Sequence, residues 1–248
     1  MGHHDDMHAD HSPEAIEARM SRDASPSYLR DFIYGAIDGA VTTFAIVAAS
    51  VGAGLSSGVI VVMGLANLLA DGFSMAASNY LGTRADRQLF ERTRSEEHEE
   101  IESHPEGERE EIRQIFAKQG FKGETLERIV GVVTADRDLW VRIMMREEHG
   151  LDEIGPEPLP AARATFVAFI LIGAIPLSPY FLGLLVDVPM RFGISCAATA
   201  LAFVGVGWTK GRIVGVNKTR SALETLAIGG AAASVAYAVG VLLRGVAG

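Results

Sequence analysis

Only one cysteine, Cys196, stands in the 248 residues, which excludes an intrachain disulfide and a thiolate metal cluster. No stripe of Lys and Arg is present to neutralise phosphates, so nucleic acid is not an expected partner. A GxSxG nucleophile elbow and a Walker phosphate loop are both missing. The glycines cluster instead in apolar runs, where they mean close helix packing. Nothing here marks an enzyme, no cofactor is expected, and an ion gradient is a simpler source of energy than ATP. The start, MGHHDDMHADHSPEAIEARMSRD, has neither the basic head nor the apolar stretch of a cleaved signal peptide. Its His3, His4, His8 and His11 read first as part of a solvated tail and only second as a metal scavenger.

What the chain does have is apolar length. Five runs, about 32–53, 59–82, 164–186, 190–209 and 222–243, approach or exceed the roughly 20 residues that cross a bilayer core of about 30 Å as helix. Residues 84–157 are their opposite, with 20 acidic against 12 basic residues, so nearly all of the net charge of −9 sits in one insert. The second run continues without a breaker through LGTRADRQLFERTRSEEHEEIESH until Pro105. A helix over about 106–119 should end at Gly120, and another is expected over about 123–149, where Leu126, Ile129, Val130, Val133, Leu139, Trp140, Ile143 and Met144 recur near helical spacing. The expected fold is all-α: a polytopic membrane protein with five transmembrane helices and a three-helix cytoplasmic metal-binding insert. Its parts are a disordered tail (1–27), the first two spans (28–83), the insert (84–160) and the last three spans (161–248). Pro156, Pro158 and Pro160 read as a stiff linker back to the membrane, and Pro176 and Pro179 as a kink in the third span.

Short loops set the orientation. Lys210, Arg212, Lys218 and Arg220 between the last two spans, with Arg19, Arg22 and Arg30 ahead of the first, contrast with the uncharged GAGLSSG loop. The positive-inside rule then puts the N-terminus and the insert in the cytoplasm and the C-terminus outside.

Two constellations carry chemistry. Asn67, Asp71 and Met75 lie at i, i+4 and i+8 in the second span, one stripe of a helix, and Asp38 lies in the first span. A carboxylate at bilayer depth costs several kcal/mol unless partnered, so each Asp is read as functional by default. Oxygen donors with one thioether suit Fe²⁺ or Mn²⁺ better than Mg²⁺ or Ca²⁺. The competing reading has Met75 merely packing and the aspartates bonding Thr42, Thr43 or Ser74. In the insert, Glu97 and Glu100 are i, i+3 neighbours, as are Glu108 and Glu111, while Met144, Met145 and Glu148 cluster at its far end. An acidic run alone is more often a solvated face, but charges this dense repel unless divalent cations relieve them. The ExxH pairs of ferritin-like di-iron bundles are missing, because His98, His104 and His149 each follow a non-acidic residue by three positions.

DGAVTTFAIVA in the first span, NLLADGFSMAASNYL in the second, the acidic insert and the small-residue run ETLAIGGAAASVAYAVG together resemble the vacuolar iron transporter family over about residues 28–244. The resemblance implies a five-span homodimer in lipid that exports Fe²⁺, and with it Mn²⁺, from the cytosol in exchange for H⁺, with Co²⁺ and Zn²⁺ as further candidates. By motif, it implies that Asp38 and Met75 belong to the translocation path. It likewise assigns Glu97, Glu100, Glu108, Glu111, Met144, Met145 and Glu148 to the family's cytoplasmic metal-binding positions. Plant and fungal members place Glu where this chain has Asn67 and a small residue where it has Asp71, so the carboxylate is read as moved one turn along the same face. The form is similar to bacterial members, which implies the cell (inner) membrane and outward transport. The alternative is a membrane-anchored protein whose insert senses or stores iron without moving it.

Overall fold

The computed structural model describes residues 12–20, 27–151, 155–186 and 188–247. His3, His4, His8 and His11 lie outside the described residues. Among the described residues the secondary structure is helix, without strands: α1 (Pro13–Met20), α2 (Leu29–Ala53), α3 (Ser57–Ser103), α4 (Pro105–Lys118), α5 (Gly123–Ala135), α6 (Arg137–Glu147), α7 (Pro158–Leu182), α8 (Arg191–Val214), α9 (Lys218–Leu242) and α10 (Arg244–Ala247). Helices α2, α3, α7, α8 and α9 are long and apolar enough to cross a membrane, as the hydropathy of the sequence requires.

The chain divides into two compact units, one of residues 28–91 and 156–248, the other of 92–155 with the N-terminal segment up to 27. In the first unit α2 is the hub, packed most extensively on α7 and then on α9 and α8. Close approach is possible because α2 presents glycine at the crossing. A Cβ on Gly39 would fall inside the contact radius of the Phe169 backbone oxygen, and one on Gly35 would meet the Thr165 oxygen in the same way. At the other end of the hub, Gly240 of α9 lies so close to the Ala49 carbonyl of α2 that no side chain fits between them. Around these contacts Phe44, Val47, Ile60, Val61, Leu68, Phe169, Leu177 and Tyr180 form the buried core, with Met75 and Cys196 against its edge. Helix α3 is peripheral by comparison, with 28% of its most apolar window buried against 44% for α2 and α7.

Several expectations need correction. The tail is not without structure throughout, for α1 forms where the Ser12 hydroxyl accepts the Ala15 N–H (3.1 Å), Pro13 opens the first turn and Glu14 follows it. Pro158 and Pro160 are not linker but the first turn of α7, where a missing N–H costs nothing. Helix α7 is continuous through Pro176 and Pro179, where the sequence expects a kink. Pro179 has no N–H to offer the Ile175 carbonyl, and the Ser178 hydroxyl donates there instead (2.7 Å). Finally, the stretch 123–149 is two helices. Asp136 adopts an extended backbone and its carboxylate accepts the N–H groups of Asp138 (3.0 Å) and Leu139 (3.1 Å), starting α6 afresh. The insert therefore contributes α4, α5 and α6 beside the end of α3, packed around Ile112, Val130, Val133, Trp140, Val141 and Met144.

Candidate metal centres

Within the membrane unit, Asp38 is half-buried on α2, and Asn67 and Met75 are half-buried on α3, with Asp71 exposed between them. Asn67 donates to the Thr42 hydroxyl (3.4 Å), and that hydroxyl donates to the backbone carbonyl of Asp38 (2.9 Å). Thr42 thus spends its proton on main chain, and the Asp38 carboxylate makes no hydrogen bond with the described residues. The charge on Asp71 is near enough to act on Asp38 across the pair of helices. Met75 packs on the core cluster while staying partly accessible.

The stripe extends further than the sequence reading took it. Asn79, one turn beyond Met75, donates to the buried Asp31 carboxylate (2.9 Å) and to the Thr165 hydroxyl (2.7 Å), which joins α3 to α2 and α7. The signal was available, since 67, 71, 75 and 79 continue the same i+4 series. What the series could not give was the partner on α7.

In the insert unit, helix geometry brings the acidic pairs together. Glu97 on α3 is 1% exposed and Glu108 on α4 is 6% exposed, although each is a carboxylate. Their side chains approach within hydrogen-bonding reach of one another, which two ionised carboxylates cannot use unless a proton or a cation lies between them. Glu97 Oε1 and Glu108 Oε2 are buried with no donor among the described residues. Glu111 stands in the same relation to Glu148, and Glu100 adds its field to Glu97, Glu108 and Glu111. Burial is the main cause that pushes the Glu97, Glu108 and Glu111 carboxyls up to about 7; the charges of nearby carboxylates add to it, while the hydrogen bond from Glu108 works against it at Glu97. Met144 and Met145 are buried on α6 one turn before Glu148, which places soft sulfur next to hard oxygen.

One member of this cluster was passed over. His149 Nε2 lies 3.2 Å from Glu97 Oε2 and 3.8 Å from Glu148 Oε2, and the ligand atoms of the three residues all fall within 4.8 Å of one another. Sequence reading tested His149 only against the ExxH spacing, and its neighbour Glu97 is 52 residues away, so no local pattern could have joined them.

Residues 29–241 match the model of the VIT family. The chain is 36% identical over 232 residues to a vacuolar iron transporter of Toxoplasma gondii, covering 90% of this chain and 77% of that one. It is 34% identical over 214 residues to vacuolar iron transporter 1 of Tulipa gesneriana, with 85% of each chain covered. Vacuolar iron transporter 1 of Arabidopsis thaliana is 32% identical over 215 residues, covering 84% of this chain and 83% of that one.

Proposed function

From the premise that the chain belongs to the VIT family, whose members are membrane transporters of metal ions and not enzymes, we propose that it exports Fe²⁺, and with it Mn²⁺, from the cytosol in exchange for protons. The observation that carries this reading is the Asp38 carboxylate, half-buried in an apolar helix without a hydrogen bond to the described residues and beside a stripe of Asn67, Asp71 and Met75. A charge kept at that depth without a structural partner is maintained for cargo. Glu97, Glu100, Glu108, Glu111, Met144, Met145 and Glu148 collect divalent metal on the cytosolic side; Asp38 and Met75, with Asp71, pass it through the membrane. Protonation of the path carboxylates on the outer side then releases it.

Asp71 supports a homodimer as the working form. It is exposed in the single chain, among the equally exposed Leu69 and Phe73. Facing lipid it would cost several kcal/mol, and a second copy against this face of α3 covers it. The carrier sits in the cell membrane with the insert and N-terminus inside and the C-terminus outside, following the charge of the short loops.

Metal uptake into liposomes under an imposed pH gradient, with Fe²⁺, Mn²⁺, Co²⁺ and Zn²⁺ side by side, tests the proposal. Wild-type protein should move Fe²⁺ and Mn²⁺ in a gradient-dependent manner, and Asp38→Ala should abolish flux while remaining folded. The acidic insert favours one second reading, iron sensing or storage, which predicts metal binding without flux in wild type and variant alike.

A further inference from the structure

We infer that His149 is a metal ligand, completing with Glu97 and Glu148 a nitrogen-and-oxygen subsite that favours later first-row divalent cations, Fe²⁺, Co²⁺ and Zn²⁺, over Mn²⁺. This rests on the reading of the insert as a metal-gathering element and goes beyond it by naming the selective donor.

Three observations converge on it. The first is an orphan: Glu97 is 1% exposed, and its Oε1 is enclosed without a donor, so a buried acceptor in the cluster still lacks a partner. The second is that no arginine ion pair among the described residues reaches the cluster, which leaves His149 as its one basic neighbour in an ion pair. Among the described residues the arginines of the insert that form ion pairs do so elsewhere, Arg87 with Glu91, Arg92 with Glu96, Arg113 with Glu110 and Glu127, Arg137 with Glu102, and Arg146 with Glu147. The third is the positioning of the imidazole by backbone rather than by chance contact. Helix α6 closes with the His149 N–H on the Met144 carbonyl (3.3 Å) and the Leu151 N–H on the Met145 carbonyl (2.8 Å), and Gly150 takes the left-handed conformation (φ 66°) that this reversal requires. That turn presents His149 Nε2 to Glu97 and Glu148. The other two described histidines are engaged differently, His98 with Arg137 (3.2 Å) and His104 with Ser103 (2.9 Å).

The selectivity follows from donor chemistry. Carboxylates alone discriminate weakly among these ions, whereas imidazole raises affinity along the series from Mn²⁺ towards Zn²⁺. The full chain in detergent, with the other six histidines (His3, His4, His8, His11, His98 and His104) changed to Gln, tests this directly, because any histidine nitrogen then belongs to His149. Pulsed EPR with one equivalent of Cu²⁺ should detect an imidazole nitrogen, and its absence overturns the assignment. In calorimetry His149→Gln in that background should weaken Zn²⁺ binding at least tenfold while changing Mn²⁺ binding less than threefold. Unchanged affinities, or equal losses for both metals, also overturn it, the latter because a merely loosened insert would lose both alike. Glu97→Gln serves as the separate control: if it leaves both metals bound as before, the metal-gathering reading of the insert fails, whatever His149 does.

Discussion

Glu97 and Glu108 each bury one carboxyl oxygen that has no hydrogen-bond partner among the described residues, and this makes the metal-free insert sensitive to pH. Their carboxyls and that of Glu111 titrate near 7 in the folded chain against 4.5 for the free group. A raised carboxyl favours the fold below the unfolded value, and that stability is lost as pH rises through the folded one. Thermal unfolding of the metal-free protein, followed by the buried Trp140 in a Trp208→Phe background, should therefore move to lower temperature between pH 5 and pH 8. Glu97→Gln should flatten the trend, and saturating Zn²⁺ should restore the high-pH stability. The same linkage means that metal affinity falls as pH drops below about 7, with protons released on binding, which calorimetry in buffers of different ionisation enthalpy measures. In the membrane stripe, Asp71→Ala should impair flux nearly as much as Asp38→Ala, and Asn67→Glu added to Asp71→Ala should recover part of it, because the two positions share a helix face about 6 Å apart. Normal flux in Asp71→Ala would reduce Asp71 to a structural role. The stripe was legible because 3.6-residue periodicity is a local property, as the Glu97–Glu100 and Glu108–Glu111 pairs were. His149 was not, since its place depends on how α6 ends and on which helix it then meets.

Helices differ in how openly their ends are written. The apolar lengths announced all five membrane helices, and Pro105 correctly marked the end of α3. The break at Asp136 was hidden, for apolar residues keep near-helical spacing on both sides of it and an N-cap aspartate looks like any surface acid. Asp136→Ala should cost about 1 kcal/mol and weaken metal binding through α6, which carries Met144 and Met145. Unfolding by urea with calorimetry on the same variant measures both. Prolines misled in the other direction at one place: Pro158 and Pro160 read as linker yet fit the first turn of α7, while in its interior Ser178 covers for Pro179. A glycine at a crossing is less forgiving. Gly39→Ala would drive a methyl into the Phe169 carbonyl, with overpacking of about 1–3 kcal/mol, and should shift Asp38 beside it. Lower thermal stability together with lost flux is the expected result in detergent and liposomes.

For the whole molecule, the proposed function assigns passage to the apolar unit and collection to the acidic one. Changing Glu97, Glu100, Glu108 and Glu111 together to Gln should remove high-affinity metal binding and reduce flux at limiting metal, but leave flux at saturating metal, since Asp38 and Met75 are untouched. Unchanged calorimetric affinity would turn these carboxylates into a solvated face. The sequence made this division visible because charge and hydropathy are averages over many residues, insensitive to the detail of any one contact.

The contact of Gly240 with the Ala49 carbonyl has a consequence for how the chain is made. The first membrane helix to leave the ribosome finds its final neighbour about 190 residues later, a wait of roughly 10–40 s at ordinary elongation rates. Throughout that interval the Ala49 face must stand against lipid or a chaperone, so an arrested nascent chain lacking α9 should expose it. A cysteine placed at Ala49 in a Cys196→Ser background should react with a membrane-permeant thiol reagent in such arrested chains and be shielded once synthesis is complete, making assembly of the carrier a last-helix event.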